Sequence, residues 1–396
     1  MAGEAPLQKK HVVVLGGGFA GVQAAIGLQK QGNFAVTLVS DRDYLYLFPT
    51  SIWIPVRKAP FEKSQVSLKE ISNAHGFSLV IDIVRDIQAS SGKVTCNARE
   101  LSYDYLLLAM GAEKISHPGI EHTLSICGKP EVSLAIRDRL DELVAAGHGS
   151  IAVGFGGNPK DQSAVRGGPA FELMFNIHAM LKRRGLRENF TLTFFAPMEK
   201  PGERMGATAL KMVDQLLARL NIGKRFGKKI RAFDSRGVLF EDQSRLDADL
   251  VLFIPGGAGH SALKESDLPL NDAGFVRIDD HGLVEGTRNV YAVGDIAALD
   301  GPAWRAKQGH VAEVMARNAV YNIVMHERGK TERRGYRDHL SIICLMDTGD
   351  GAALVYRDQA RAFVIPLPLV GHWMKKGWGA YARWTKTGRM PRIPGL

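Results

Sequence analysis

The segment that most constrains the fold is HVVVLGGGFAG, residues 11–21. An apolar, β-branched run enters a glycine-rich turn, and this predicts a buried parallel strand. The residues that follow, VQAAIGLQKQG, have the composition of a helix with a glycine stop. A second apolar run at 34–39 then ends in Ser40 and Asp41. Together these segments predict a βαβ unit, the building block of a doubly wound α/β fold.

The turn of this unit has the spacing of a dinucleotide site, G-x-G-x-x-G, and an acid follows on the second strand. Glycines permit a tight turn and a close approach to pyrophosphate, the helix N-terminus stabilises the anion, and the carboxylate takes ribose hydroxyls. Ser40 is an alternative partner for the ribose. The residues that we assign to this site are Gly16, Gly18, Phe19, Ala20, Gly21, Ser40 and Asp41.

A second cycle of strand, helix and strand follows the first. Further strands are expected at 103–112, 150–157, 190–197, 249–257 and 289–299. We therefore expect an α/β protein with two Rossmann-like doubly wound domains. Because the strand at 289–299 looks like a return to the first domain, that domain is predicted to be discontinuous. The expected division is 1–115 with 285–330, then 116–284, and a C-terminal region at 331–396.

Composition excludes several classes of protein. Apolar residues make up 45% and charged residues 23% of the chain, which is typical of a globular protein. Three cysteines are too few for a disulfide framework, and Cys96 in KVTCNA is expected to be a buried strand residue. The N-terminal residues MAGEAPLQKK contain no apolar signal segment, so we expect the chain to start in the cytoplasm. No metal site is expected.

The net charge of +10 is concentrated at the C-terminus. Residues 371–396 contain six Lys or Arg, three of the five Trp and no acid, and this composition favours an anionic lipid surface over nucleic acid. A helix at 371–384 places one set of residues on a common face: Trp373, Gly377, Tyr381 and Trp384. The basic residues expected around the remaining surface are Lys375, Lys376, Arg383 and Lys386. An ordinary helix packed on the body is the alternative.

Two later segments favour FAD over NAD as the dinucleotide. AMGA (109–112) and NVYAVGD (289–295), together with the first turn, resemble FAD-dependent pyridine nucleotide–disulfide oxidoreductases. Within that superfamily the chain resembles sulfide:quinone oxidoreductases nearly end to end. The stretches that carry this resemblance are 41–58, 125–135, 167–185 (GGPAFELMFNIHAMLKRRG), 340–356 and 372–395. The related type II NADH dehydrogenases share fewer of these details.

The resemblance implies roles for particular residues. It implies that FAD is held, beyond the first turn, by Ala109, Gly111, Gly294 and Asp295, with Pro49, Thr50 and Lys307 near the isoalloxazine. It implies that Cys344 is one of two redox cysteines and that Cys127 lies near the flavin edge. It implies a quinone site at Ile343, Trp378 and Tyr381, and a carboxylate at Glu172 that relays the two protons of quinone reduction. Each of these side chains has an ordinary structural role as its alternative.

The chain departs from the family at the first redox cysteine, because Arg166 stands in its place. In that family one cysteine takes sulfide as a persulfide and the other passes electrons to the flavin. Arg166 is expected to bind an anionic substrate, to pair with the flavin's own charge, or to form a structural ion pair. The second glycine segment is also atypical of an NADH site. GFGG is separated from its helix by ten residues, and the strand at 190–197 ends without an acid for the ribose.

We therefore expect a peripheral FAD enzyme on the cytoplasmic side of the membrane. It is expected to carry two electrons from a small-molecule donor, sulfide or another sulfur species, to a membrane quinone. An NAD(P)H:quinone oxidoreductase of the type II kind and a flavin-binding inactive subunit are the alternatives, and a homo-oligomer is left open.

Overall fold

Residues 9–393 are described by the structure, a computed structural model. A first sheet has five parallel strands in the order Val290–Ala292, Tyr105–Leu108, Lys10–Leu15, Phe34–Ser40 and Ser78–Ile81. The strands are nearly continuous apolar runs because helices Phe19–Gln29 and Gly309–Glu327 pack beside the sheet. The expected βαβ unit is therefore confirmed, and so is the return of the late strand, since Val290 pairs with Leu106.

A second sheet has four parallel strands in the order Gly223–Phe226, Phe190–Ala196, Gly149–Phe155 and Leu250–Ile254. The helices of this part of the chain are Val132–Ala146, Gly168–Arg183 and Ala207–Arg219. Helix Gly168–Arg183 is buried along most of its length, so it forms the centre of the second core. The predicted α/β class with parallel sheets is thus confirmed.

Small antiparallel elements decorate the two parallel sheets. One three-stranded sheet consists of Val84–Gln88, Lys93–Cys96 and Glu100–Ser102, and another of Ile230–Asp234, Gly237–Phe240 and Arg245–Asp247. The two-stranded pairs are Tyr44–Tyr46 with Gln65–Ser67, Glu113–Lys114 with Gly257–Ala258, and Val276–Arg277 with Ala297–Ala298. Helices Phe48–Ser51 and Leu68–His75 complete this region. Cys96 is buried on its strand, as expected.

The C-terminal layer is an antiparallel sheet followed by a helix. Its strands are Ile342–Asp347, Ala352–Arg357 and the edge strand Ala362–Leu367; LSIICLMD and AALVYRD predict the first two from the sequence, whereas no pattern predicts the third. Helix Gly371–Lys386 follows and contacts both the sheet and the segment Phe48–Ser51. Among residues 9–393, no helix combines the length and apolar character that crossing a bilayer requires.

The first core also takes in residues that lie outside 1–115 and 285–330. Leu263, Leu268 and Val276 pack with the strands of the first sheet. The division into 1–115 with 285–330, 116–284 and 331–396 stays a prediction. Residues 1–8 and 394–396, which belong to its outer segments, lie outside the described part of the chain.

Candidate functional site

The glycine turn after the first strand is built so that side chains are excluded. Gly16 has φ +112°, and a Cβ on it would lie 2.4 Å from the Ala109 carbonyl oxygen. A Cβ on Gly21 would lie 1.8 Å from the Gly16 carbonyl oxygen, so this glycine brings the helix against the strand. Around Gly18 there is open space within 4 Å, and no side chain caps the helix that begins at Phe19. The first-turn N–H groups are therefore available to an anion.

A single cavity of about 1960 Å³ joins this turn to the C-terminal helix. Ordinary small-molecule pockets reach roughly 1,000 Å³, so this space accommodates a dinucleotide and a second ligand together. It is lined by most of the residues predicted from the sequence: Gly16, Gly18, Phe19, Ala20, Ser40, Asp41, Pro49, Ala109, Gly111, Cys127, Arg166, Glu172, Gly294, Asp295, Lys307, Ile343, Cys344, Trp378 and Tyr381.

Two predicted cofactor residues do not line the cavity. Gly21 acts in helix–strand packing, as described above. Thr50 is buried, and its hydroxyl donates to the Leu47 carbonyl oxygen at 2.8 Å and lies 2.9 Å from the Ser64 hydroxyl. A Cβ on Gly379 would lie 3.1 Å from the Thr50 methyl group. The structure therefore places Thr50 beneath the C-terminal helix.

The acid that was predicted to take ribose hydroxyls is open to solvent. Asp41 is 61% exposed and pairs with its neighbour Arg42, Oδ1 to Nε at 3.0 Å. Ser40 is buried, and its hydroxyl accepts a hydrogen bond of 3.3 Å from the Arg42 backbone N–H. Both residues stand at the end of strand Phe34–Ser40, where the carboxyl ends of parallel strands meet the cavity.

Arg166 forms an ion pair with Asp295, the acid of the late YAVGD motif. Beside this pair, the buried Lys307 ammonium donates to the carbonyl oxygens of Asp295 at 2.7 Å and Ala297 at 2.6 Å. It also lies 3.3 Å from the ring centroid of Phe275. Burial lowers the pKa of Lys307 to about 7, although Asp161 opposes the shift. Its charge therefore changes near neutral pH.

The loop that precedes helix Gly168–Arg183 folds inward on its own hydrogen bonds. Asp161 Oδ1 accepts from the Ser163 hydroxyl at 2.6 Å, and its Oδ2 accepts from Asn271 Nδ2 at 3.2 Å. Asn158 Nδ2 donates to the Gly257 carbonyl oxygen at 2.8 Å. A Cβ on Gly157 would lie 2.8 Å from a methyl group of Val165. The space where a second nucleotide turn would open is thus taken by the loop itself.

Cys127 and Cys344 both lie in the cavity wall, and each is a free thiol. Cys344 stands beside the start of helix Gly168–Arg183, because a Cβ on Gly168 would lie 3.9 Å from its sulfur. Burial, together with the charge of Glu172, raises the pKa of Cys344 to about 12. At neutral pH this thiol is protonated, so it is a poor nucleophile.

Glu172 is buried in an ion pair with Lys375 of the C-terminal helix. Its Oε1 also accepts a 2.7 Å hydrogen bond from the Asp347 backbone N–H. Burial raises the pKa of Glu172 despite the lysine. The side chain of Asp347 is itself buried. Its Oδ2 accepts a hydrogen bond of 3.0 Å from Trp53 Nε1 and lies 2.8 Å from His372 Nδ1. Two buried carboxylates thus anchor the first turn of the helix.

The expected positions of two lysines on the C-terminal helix were wrong. Lys375 and Lys386 were placed on its free surface, but both are buried, and Lys386 pairs with Glu313 at 2.6 Å. Each lysine meets a carboxylate from another element, which compensates for the loss of solvent. The helix also carries four exposed large apolar side chains: Trp373, Met374, Trp378 and Trp384.

Sequence reasoning also missed Lys114, which lines the cavity beside Arg166. It stands two residues after AMGA, at the end of a predicted strand, and such a position carries no motif. The partnership between Arg166 and Asp295 was likewise not predicted, because the two residues are far apart in the sequence. Among the described residues, no cluster of His, Cys, Asp or Glu has the arrangement of a metal site.

The two parallel sheets, the glycine turn and the cavity define a two-dinucleotide flavoprotein. Residues 10–319 match the model of the pyridine nucleotide-disulphide oxidoreductase family, and the chain belongs to this family. It is a flavin-dependent oxidoreductase, and FAD is the cofactor of the family. The open space at Gly18 and the uncapped helix start fit the diphosphate of FAD.

Two curated relatives and one solved structure indicate which members of the family the chain is similar to. A sulfide-quinone reductase of Aquifex aeolicus is 26% identical over 95% of this chain and 90% of its own. The solved structure of sulfide:quinone oxidoreductase from that bacterium has a TM-score of 0.86 at 24% identity, covering 96% of this chain and 92% of its own. A type II NADH:quinone oxidoreductase of Staphylococcus saprophyticus is 22% identical over 88% of this chain and 90% of its own.

Proposed function

We propose that this chain is a peripheral membrane enzyme that uses FAD to pass two electrons from a soluble donor to a membrane quinone. The observation that carries the proposal is the continuity of the cavity from the glycine turn to Trp378 and Tyr381. The ring centroid of Trp378 lies 6.2 Å from that of Phe19, the first residue of helix Phe19–Gln29. The named activities of the Aquifex and Staphylococcus relatives support quinone as the acceptor.

FAD, when bound, accepts a pair of electrons from the donor and delivers it to the quinone. The chain's own residues supply binding and charge. The glycine turn takes the diphosphate at the start of helix Phe19–Gln29. Lys307 brings an ammonium group to the cavity, and any negative charge that develops nearby favours its protonated form.

Ile343, Trp378 and Tyr381 are proposed to hold the quinone, and Glu172 to supply its protons. Reduction of a quinone to a quinol consumes two protons. Because burial raises the pKa of Glu172, its carboxyl group holds a proton more readily than an exposed glutamate does. Lys375, in contact with the same carboxylate, steadies the charge after the proton has left.

The C-terminal helix is proposed to lie on the membrane surface. Lys375 and Lys386 face inward to carboxylates, whereas Trp373 is 69% and Trp384 47% exposed. Just before the helix, Leu369 is 82% exposed. Apolar side chains that point outward from a helix with basic neighbours are typical of interfacial segments. The side of the membrane stays a prediction from the sequence.

Sulfide or another sulfur species is proposed as the donor, with a mechanism that differs from a two-cysteine route. Arg166 occupies the position of the missing cysteine, and the pKa of Cys344 is raised to about 12. The alternative donor NADH is less well supported, because the loop before helix Gly168–Arg183 fills its own turn and strand Phe190–Ala196 leads into Pro197. An inactive flavin-binding subunit is the remaining alternative.

Quinol formation tests the proposal. FAD-loaded protein on liposomes that contain a short-chain quinone is supplied anaerobically with sulfide or with NADH, and quinol is measured. We expect quinol with sulfide, and a raised KM for quinone in Trp378→Ala. Trp304→Ala, a matched change at a tryptophan outside the cavity, should leave that KM unchanged. Quinol with NADH alone would favour the alternative donor, and no quinol with either would contradict the proposal.

A further inference from the structure

The side chain of Lys114 is a cation in the cavity wall, and its ammonium group has no hydrogen-bond or ion-pair partner among residues 9–393. Its strand, Glu113–Lys114, pairs with Gly257–Ala258. The adjacent Glu113 forms no ion pair with it and is not among the charges that act on it; Glu113 Oε1 accepts from the Ser261 hydroxyl at 2.6 Å. A half-buried ammonium group without a counter-ion is costly, which points to a ligand that supplies negative charge.

Arg166 places a second positive charge near Lys114. Burial and the charge of Arg166 lower the pKa of Lys114 to about 8. Both side chains, with Asp295 and Lys307, line a niche of about 10 Å³ at the edge of the large cavity. Such a volume holds about one water molecule, so a ligand of a few atoms would have to extend from the mouth of the niche into the main cavity.

The charges around the niche leave a positive surplus. Asp295 is the carboxylate in its lining, and it is paired with Arg166. Asp161 keeps its charge and acts on Lys307, but it forms no ion pair with Lys114 and is not among the charges that act on it. The charge of Lys114 is therefore uncompensated.

Cys127 stands on the same side of the cavity. It lines the large cavity with Lys114, and the two groups interact electrostatically. A small anion that binds at Lys114 thus lies close to a free thiol and to the Asp295 region assigned to the flavin. This placement suits an electron donor better than a structural ion.

We propose that Lys114 and Arg166 together bind a small sulfur anion, hydrosulfide or a sulfur oxyanion, as the donor enters the cavity. The role of that anion as donor rests on the proposed function, but its binding does not require turnover. Electrostatic binding by two cations takes the place of capture by a cysteine thiolate at residue 166. Arg presents parallel N–H donors to an oxyanion, and Lys adds a point charge.

Calorimetric titration of the oxidised, FAD-loaded protein tests this site. The probes are sulfite and thiosulfate and, against photoreduced protein without oxygen so that no electrons pass to the flavin, hydrosulfide, with chloride as a control anion. We expect saturable binding of at least one sulfur anion and a dissociation constant raised about tenfold or more in Lys114→Gln. Lys114→Arg should keep most of the affinity. Lys160→Gln removes the same charge from an exposed site on the neighbouring loop and should bind like the unchanged protein.

Three outcomes decide the inference. Equal weakening in Lys114→Gln and Lys160→Gln would contradict it, because a general charge effect would then explain the binding. No saturable binding of any of the three sulfur anions would also contradict it, whatever the enzyme does with quinone. Binding that depends on Lys114, in a protein that forms no quinol with any donor, would support the site while refuting the proposed function.

Discussion

The two strand–turn–helix units of this molecule start alike and end differently. After Leu15 the chain turns within three glycines and opens its helix to the cavity. After Phe155 it makes a long loop that closes on its own hydrogen bonds and presents Arg166. Sheet and helix are similar in both units, so the difference lies in the loop. A shared architecture therefore does not imply a shared ligand, which depends on the residues at the turn.

We propose that the difference divides the cavity into a flavin and acceptor side, between the first turn and the C-terminal helix, and a donor side at the second loop. On the first side, the turn glycines Gly16 and Gly18 line the cavity with Glu172 and Trp378, and the resemblance predicts FAD and quinone there. On the second, Arg166 pairs with Asp295 at the position where the resemblance predicts a cysteine. The predictions below test this division.

The largest effect is expected from Gly18→Ala in the first turn. Its methyl group meets no protein atom, so the fold should be unaffected, but it occupies open space beside the diphosphate position. We expect loss of most bound FAD, with affinity lowered at least about tenfold, as measured by flavin absorbance after gel filtration. Gly156→Ala in the second loop should keep its flavin. Equal loss in both variants would contradict the comparison.

Lys375→Met tests the ion pair that attaches the C-terminal helix to Glu172 on the proposed acceptor side. Removing the lysine leaves the Glu172 carboxylate buried without its partner, and such a change costs about 3–5 kcal/mol of unfolding free energy. Denaturant titration measures the loss. The double variant Glu172→Gln with Lys375→Met should recover much of it, because no buried charge then stands alone. A single variant as stable as the unchanged protein would refute the ion pair.

Trp373→Glu combined with Trp384→Glu tests the outward face of the C-terminal helix. Both side chains are exposed, so we expect little change in stability but release from anionic liposomes in a sedimentation assay. Truncation after Leu369 should also release the protein, though it removes the buried Lys375 and Lys386 as well. Unchanged sedimentation of the double variant would exclude this helix as the contact with the membrane.

The smallest effect concerns Lys307, at the boundary between the two sides. Since its pKa is lowered to about 7, it is charged below that pH and neutral above it. The other charges that act on it are Asp161, Arg166 and Arg305. We expect the absorption of the oxidised flavin to shift in a single step near neutral pH. Lys307→Met should remove the step, and a step that persists would belong to another group.

The regular elements and the cofactor side were predictable from the sequence. Apolar runs that end in glycine reveal parallel strands, and the spacing of Gly16, Gly18 and Gly21 reflects backbone contacts that few other residues permit. The edge strand Ala362–Leu367 was missed, because its exposed apolar residues follow no alternation between core and solvent.

Long-range pairs could not be predicted in the same way. Lys375 and Lys386 follow the helical pattern of surface cations, yet both find carboxylates on other elements. Arg166 and Asp295 meet only because the two sheets bring their loops together. Lys114 carries no motif, and its significance appears once its lack of a partner is visible. Burial and charge pairing across elements depend on tertiary contacts that no local pattern contains.

Anaerobic mixing of the oxidised, FAD-loaded protein with one donor at a time tests the central claim most directly. The visible flavin band is followed after mixing with sulfide in one experiment and with NADH in a separate one. If the flavin side is intact and the second nucleotide turn is replaced, sulfide bleaches the band, added quinone restores it, and NADH leaves it unchanged. Rapid bleaching by NADH with no response to sulfide would contradict the account.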